Sequence, residues 1–183
     1  AEGQSPTTLV ISCCDSRIHV TSIFGSDKGE FFIHRNIANL VPPYNPDGDH
    51  HGTSAAVEYA VKILKVTNII ILGHSMCGGI NSGYHLCKGN NKLNQSIFIN
   101  KWLKILSPAF NNVINDNKNI SNQEGIKYLE KESIKKSINN LTDFPFIKDA
   151  VKRKELFIHG LWHDIGSGNL ESLDPFTLEF KKI

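Results

Sequence analysis

The sequence predicts an α/β fold: a mainly parallel central sheet of about four strands, an antiparallel strand at its edge, and helices on its flanks. Short apolar runs without polar alternation (TLVI, FFI, NIIIL) recur in the first half of the 183-residue chain, as in strands buried on both faces. Between the last two lies a stretch with apolar residues at helical spacing, and strand, helix, strand in that order implies parallel neighbours. Near the end, ELFIHGLWHDI and LESL flank a GSGN break, the pattern of a hairpin.

The first strand is expected from about Thr8 to Cys13, the second from about Glu30 to Arg35, and the third from about Thr67 to Leu72. Ala55, Ala56, Tyr59, Ala60 and Ile63 form one face of a helix over about Thr53 to Leu64, with Thr53 or Ser54 as its cap. From about Gln95 to Lys154 the pattern is mostly helical. SIFINKWLKIL and GIKYLEKESIKKSINNL carry apolar residues at three- and four-residue steps, and the Lys/Glu run over 127–136 reads as a solvated helix face. After LESL the tail is polar. No linker or repeat interrupts the chain, so residues 1–183 are expected to form a single domain. The chain starts AEGQSP and enters a core strand almost at once, which implies that a native N-terminal segment is missing.

Composition narrows the function. With 40% hydrophobic and 21% charged residues the chain can build a sizeable core. A net charge of +2 with scattered lysines argues against a nucleic-acid partner. No apolar stretch reaches the ~18 residues of a membrane span, so no membrane partner is expected, and a cytoplasmic location is. Four cysteines, at 13, 14, 77 and 87, are too few for a disulfide scaffold in a chain this long, which turns attention to metal binding or catalysis.

In open parallel sheets, working residues collect at the carboxyl ends of strands. SCCDSR closes the first strand and GHSMCGG the third, so both ends can open onto one crevice. His74 and Cys77, three residues apart at the entry to a helix, can face one point, and thiolate with imidazole suits zinc. Cys13 or Cys14 would bring a third ligand from the first strand, the number a catalytic zinc uses while leaving a position open for water. Asp15 and Arg17 read in two ways. They form an ion pair closing the turn, or a carboxylate held ionised by a planar fork that lysine could not supply.

Cys13, Asp15, Ser16 and Arg17 (C-x-D-S-R) with His74, Cys77, Gly78 and Gly79 (H-x-x-C-G-G) resemble the β-class carbonic anhydrases. The likeness extends through FIHRNIANLVPPY, GTSAAVEY and HGLWHDI, leaving out the helical region over 88–150. It implies one Zn2+ per chain on Cys13, His74 and Cys77, with Cys14 a buried non-ligand and Cys87 an ordinary helix residue. It further implies reversible hydration of CO2 to bicarbonate by zinc-bound hydroxide, with Asp15, braced by Arg17, orienting the nucleophile. Gly78 would let the backbone approach the reacting atoms.

Within that family the chain resembles the plant-like, open-site subgroup. Gln4, Phe32 and Tyr59 match residues that line the CO2 site from the neighbouring subunit, Ile37 completes the apolar wall, and Val10 stands where the other subgroup has tryptophan. A homodimer or larger homo-oligomer is therefore implied. Two alternatives use the same scaffold: a CS2/COS hydrolase, and a non-catalytic zinc domain with Asp15 on the metal. His50 and His51 in DGDHHG are left outside the site, since adjacent loop histidines are commonly just exposed.

Overall fold

The computed structural model describes residues 3–47, 51–90, 96–116 and 119–183. Strands β1 (Thr8–Cys13), β2 (Phe31–Asn36), β3 (Asn68–His74) and β4 (Phe157–His163) pair in parallel. They are continued antiparallel by β5 (Leu170–Leu173) and β6 (Phe180–Lys182), in the order β2-β1-β3-β4-β5-β6. Ser12 lies opposite Leu72, so β1 and β3 end almost level. Their carboxyl ends therefore open side by side.

The sheet holds two antiparallel strands where one was expected. β6 comes from the tail that reads as polar, and its turn explains how so short a strand forms. The Asp174 carboxylate accepts from the amides of Phe176 and Thr177 and from Lys181 Nζ, folding the chain back on itself. Phe180 then packs against the main core.

Side chains alternate along β1 and both faces are covered. Leu9 and Ile11 meet Ile69, Ile71, Ile134, Leu141 and Ile147 on one face, while Val10 and Leu72 meet Ile18 and Val20 on the other. Helix α1 (Val20–Phe24) follows β1. Helix α2 (Gly52–Glu58) starts one residue before the expected span, with His51 rather than Thr53 or Ser54 as its cap residue. The Thr53 hydroxyl instead accepts from Asn36 Nδ2 and bonds to His34 Nε2, tying the helix to β2. The helix closes in a π-turn over Tyr59–Ile63.

Helix α3 (Gly78–Cys87) leaves the end of β3 and places Cys87 at its last position, as expected. The long helical region resolves into α4 (Phe98–Leu103), α5 (Ser107–Asp116), α6 (Asn122–Thr142) and α7 (Pro145–Lys152). A capping box starts α6: the Ser121 hydroxyl accepts from the Glu124 amide, and the Glu124 carboxylate accepts from the Ser121 amide. The 127–136 run is not a solvated face throughout, because α6 lies between the sheet and α5. Glu130 is only 3% exposed and Ser133 is buried with it.

Helix α6 can approach α3 because residue 125 is glycine. A Cβ there would stand 2.5 Å from the Tyr84 hydroxyl and 2.7 Å from its ring, and Tyr84 is fully buried. Gly125→Ala is expected to cost about 1–3 kcal/mol by overpacking. Urea unfolding should show a lower midpoint at unchanged m-value; an unchanged midpoint would mean that α6 shifts freely.

Candidate metal centre

Cys13 is the last residue of β1, His74 the last of β3, and Cys77 the cap residue of α3. All three are buried, and one ligand atom from each lies within 4.8 Å of the others. The two sulphurs are 3.8 Å apart. His74 Nδ1 lies 2.8 Å from the Ser75 carbonyl. A carbonyl only accepts, so Nδ1 carries the proton and Nε2 keeps its lone pair. That Nε2 is buried with no hydrogen-bond partner. An orphaned nitrogen beside two thiols fits a zinc ion, whose preferred donors are sulphur and imidazole nitrogen.

The sulphurs do not ionise alike. Hydrogen bonding between the two thiols, in which either sulphur can donate, pulls Cys13 well below the ordinary thiol value and, with burial, pushes Cys77 up. The metal-free pair therefore shares one proton, which a metal must displace.

Asp15 and Arg17 meet as a fork. Arg17 Nε donates to Oδ1 at 2.9 Å, Nη2 to Oδ2 at 2.7 Å, and the Arg17 amide to Oδ1 at 3.0 Å. The guanidinium holds the Asp15 carboxyl far below the usual carboxylate range. The stability this pair contributes is thus present above the ordinary carboxylate pKa and is lost only as pH falls through the depressed value. Arg17 Nη2 also donates to the Met76 carbonyl at 3.0 Å, joining the loop after β1 to the loop after β3. Asp15 Oδ2 lies 4.0 Å from His74 Nε2, at the edge of the three-ligand cluster.

Arg35 has a part that the sequence reading missed. Its Nε donates to the Cys13 carbonyl at 3.0 Å and its Nη2 to the Asp15 carbonyl at 2.8 Å. The register that sets Arg35 opposite Ser12 appears only once the strands are paired, so the sequence carried no direct signal of it.

After β2 the chain passes through Ala38 and Asn39, both left-handed at φ 66° and 48°. Two consecutive non-glycine residues in this region need outside support. Asn36 supplies part of it, accepting from the Leu40 amide and donating to its carbonyl. Ser137 and Asn140 of α6 supply the rest through Asn39 and Val41. The loop presses on α3, where a Cβ at Gly79 would meet Ile37 Cγ2 at 2.7 Å. A Cβ at Gly78 would meet nothing within 4 Å, so the open side of that turn faces free space.

Ile37 is 39% exposed and lines an open crevice of about 870 Å3 with Cys14, His34, Thr53, Phe98 and Trp102. Trp102 Nε1 donates to the Ile37 carbonyl at 2.8 Å, fixing α4 as one wall. Cys14 corrects an expectation: its side chain is exposed, not buried. Once β1 has ended, strand alternation carries residue 14 away from the buried side of Cys13 and into the crevice. His51 lines the same crevice, and His50 lies outside the described residues.

Gln4, Phe32 and Tyr59 are not brought to this chain's own cluster. Phe32 pairs with Leu9, four residues before Cys13 and so roughly 13 Å back along the sheet. Tyr59 stacks near Phe32, with ring centroids 5.8 Å apart, and is 44% exposed. Gln4 is exposed and precedes β1.

Behind the cluster, Glu130 of α6 accepts from the Cys77 amide and from Trp162 Nε1, each at 3.3 Å. Burial pushes this carboxyl up.

The family model for carbonic anhydrase matches residues 8–170. Beta carbonic anhydrase 3 of Arabidopsis thaliana is 38% identical over 99% of this chain and 68% of its own length. The chain belongs to the β-class carbonic anhydrases. Beta carbonic anhydrase 6, mitochondrial, of the same plant is 37% identical over 93% of the chain, which spans 58% of that protein. The β-carbonic anhydrase CcaA superimposes at a TM-score of 0.90 with 30% identity, over 99% of this chain and 85% of that one. A tetrameric β-carbonic anhydrase of Sordaria macrospora superimposes at 0.80 with 33% identity, over 93% and 82%.

Cys13→Ser and Cys77→Ser are expected to abolish stoichiometric zinc by metal analysis, and Cys14→Ser to retain it. The exposed Cys14 should also be the thiol of the zinc-loaded protein that labels fastest. Zinc lost only in Cys14→Ser would reassign the ligand set.

Proposed function

We propose that the chain catalyses reversible hydration of CO2 to bicarbonate at zinc held by Cys13, His74 and Cys77. The observation that carries this is the orphaned His74 Nε2 facing two buried sulphurs beside the Asp15/Arg17 fork, in a chain of this family. When bound, zinc acidifies water at its open position from about 15.7 towards about 7 and so supplies a nucleophile at neutral pH.

The chain's own residues do the rest. Ser75 fixes the imidazole tautomer, so the ring can only present Nε2 to the metal. Asp15, kept ionised by Arg17, accepts a hydrogen bond from the attacking water and aims its remaining lone pair at the carbon of CO2. Amides at the start of α3 face the charge that develops on the CO2 oxygens, with Gly78 leaving the approach clear. Ile37 supplies an apolar wall. Bicarbonate then leaves through the crevice and the proton passes to solvent.

The open-site arrangement is supported by Asp15 having both oxygens engaged by Arg17 and by Val10 in β1. That engagement also disfavours a non-catalytic domain with Asp15 on the metal. The active unit is a homodimer or larger homo-oligomer. Gln4, Phe32 and Tyr59 lie too far from their own Cys13 to line its pocket, yet Tyr59 is exposed and can face another copy. Tetramers occur in the Sordaria macrospora relative. Among the described residues no helix is long and apolar enough to cross a membrane. A reducing compartment such as the cytoplasm suits four free thiols.

Asp15→Asn is expected to keep zinc but slow stopped-flow CO2 hydration by about a hundredfold, because the amide no longer accepts with full charge. Full activity would reduce the Asp15/Arg17 pair to a structural role, and CS2 hydrolysis with negligible CO2 hydration would change the substrate. Mixing inactive Gln4→Ala and Cys77→Ser subunits should restore some activity, since one site of a mixed dimer has intact ligands and a Gln4 supplied in trans. Each variant is first confirmed to be impaired and to exchange subunits; absence of any restoration would then argue against the shared pocket.

A further inference from the structure

We infer that Glu130 is a positioning residue for Cys77, setting how firmly the chain holds its metal. The inference rests on the zinc assignment above and adds a residue from α6. Cys77 caps α3, and no side-chain hydrogen bond caps that helix. In a capping box the third helical residue would accept from the cap residue's amide; here that residue is Ile80, which has no acceptor. Glu130 takes its place from another helix, with Oε1 on the Cys77 amide at 3.3 Å.

The other oxygen, Oε2, accepts from Trp162 Nε1 at 3.3 Å. The Cys77 amide and the Trp162 indole both donate to the carboxylate, and the Met76 amide faces it as well. A glutamine would present its own NH2 to one of them, so the site calls for two acceptor oxygens. Among the described residues no lysine or arginine forms an ion pair with Glu130, although it is only 3% exposed. The neighbouring Lys131 is taken up by Glu171 at 2.5 Å and lies over the Trp162 ring at 4.6 Å.

The Cys77 amide and sulphur belong to one residue, and the preceding Met76 is left-handed at φ 57°. Without an acceptor behind it, the buried Cys77 amide is unsatisfied and the Met76–Cys77 peptide is free to turn, which swings Sγ away from Cys13 and His74. Partners behind a metal ligand typically change metal affinity by about 10–100-fold.

The test compares wild type, Glu130→Gln, Glu130→Leu and Trp162→Phe as zinc-loaded proteins. Zinc release to a chelator and the sulphur-to-cobalt charge-transfer bands of the Co2+ forms are measured beside thermal unfolding. Release should accelerate at least tenfold in Glu130→Leu and by less in Glu130→Gln, with cobalt bands altered in the same order. Trp162→Phe, which keeps the Cys77 bond, should change least. Wild-type release and spectra in a folded Glu130→Leu, with only the melting temperature lowered, would overturn the inference. If that variant does not fold, wild-type behaviour of Glu130→Gln does the same, as does a Trp162→Phe effect as large as that of Glu130→Gln. Failure of the wild type itself to bind zinc would instead remove the proposed function.

Discussion

The buried polar face of α6 is the constraint on which the metal centre depends. Two loops must stand still for three ligand atoms to meet: the turn after β2, with its consecutive left-handed residues, and the turn from β3 into α3. Neither loop can satisfy its own backbone. Glu130, Ser137 and Asn140, spaced seven and three residues apart along one helix, take up the amide of Cys77, the carbonyls of Asn39 and Val41 and the amide of Val41. An unmet buried backbone group costs about 1–3 kcal/mol, a large share of the stability of a chain this size. One helix therefore braces both sides of the site at once. It is itself held to α3 by the close contact of Gly125 with Tyr84, and to the sheet by Ile134 and Leu141.

Much of this was legible in the sequence, and the reason differs between regions. The parallel strands declare themselves because a strand covered on both faces must be apolar throughout. The residues at the ends of β1 and β3 declare themselves because two thiols, an imidazole and an Asp/Arg pair are a costly way to leave a core. The helix α6 hid its contribution. Ser, Asn and Glu on a lysine-rich helix look like solvent-facing residues, and only the backbone groups they meet, 53 to 99 positions away in sequence, show otherwise. Their spacing, in phase with Leu129, Ile134 and Leu141, was the available clue. The exposure of Cys14 was hidden for a related reason, since where β1 stops depends on what covers its end. The strand β6 was hidden because its three residues gain their place from the Asp174 turn and the packing of Phe180, which composition does not reveal.

The placement of Gln4, Phe32 and Tyr59 bears on how CO2 is recognised. CO2 carries no net charge and no dipole, so a pocket can hold it only through an apolar wall and a few weak donors. One chain offers Ile37 on an otherwise wide and open crevice. An amide and two rings at the opposite end of the sheet can narrow such a crevice only if a second copy presents them. In the proposed shared pocket, assembly would serve recognition as well as stability, because a second copy would narrow the cleft.

Charge around the cluster argues in the same direction for the product. Two thiolates offset the charge that a zinc ion brings, and Asp15 with Arg17 is neutral as a pair. Arg35 spends its hydrogen bonds on the carbonyls of Cys13 and Asp15, which fixes the turn while leaving a cation nearby. In the proposed mechanism the start of α3 is then what the site offers to developing negative charge, and it makes no bidentate grip on a carboxylate-like anion. In the proposed reaction, such a site would stabilise the charge as it forms without gripping the product. The one strong fork near the metal, that of Arg17, is already closed on Asp15, so the product cannot use it. Breaking that fork would therefore do two harms at once under the proposed mechanism, releasing the carboxylate assigned to orient the attack and freeing a guanidinium able to retain the anion.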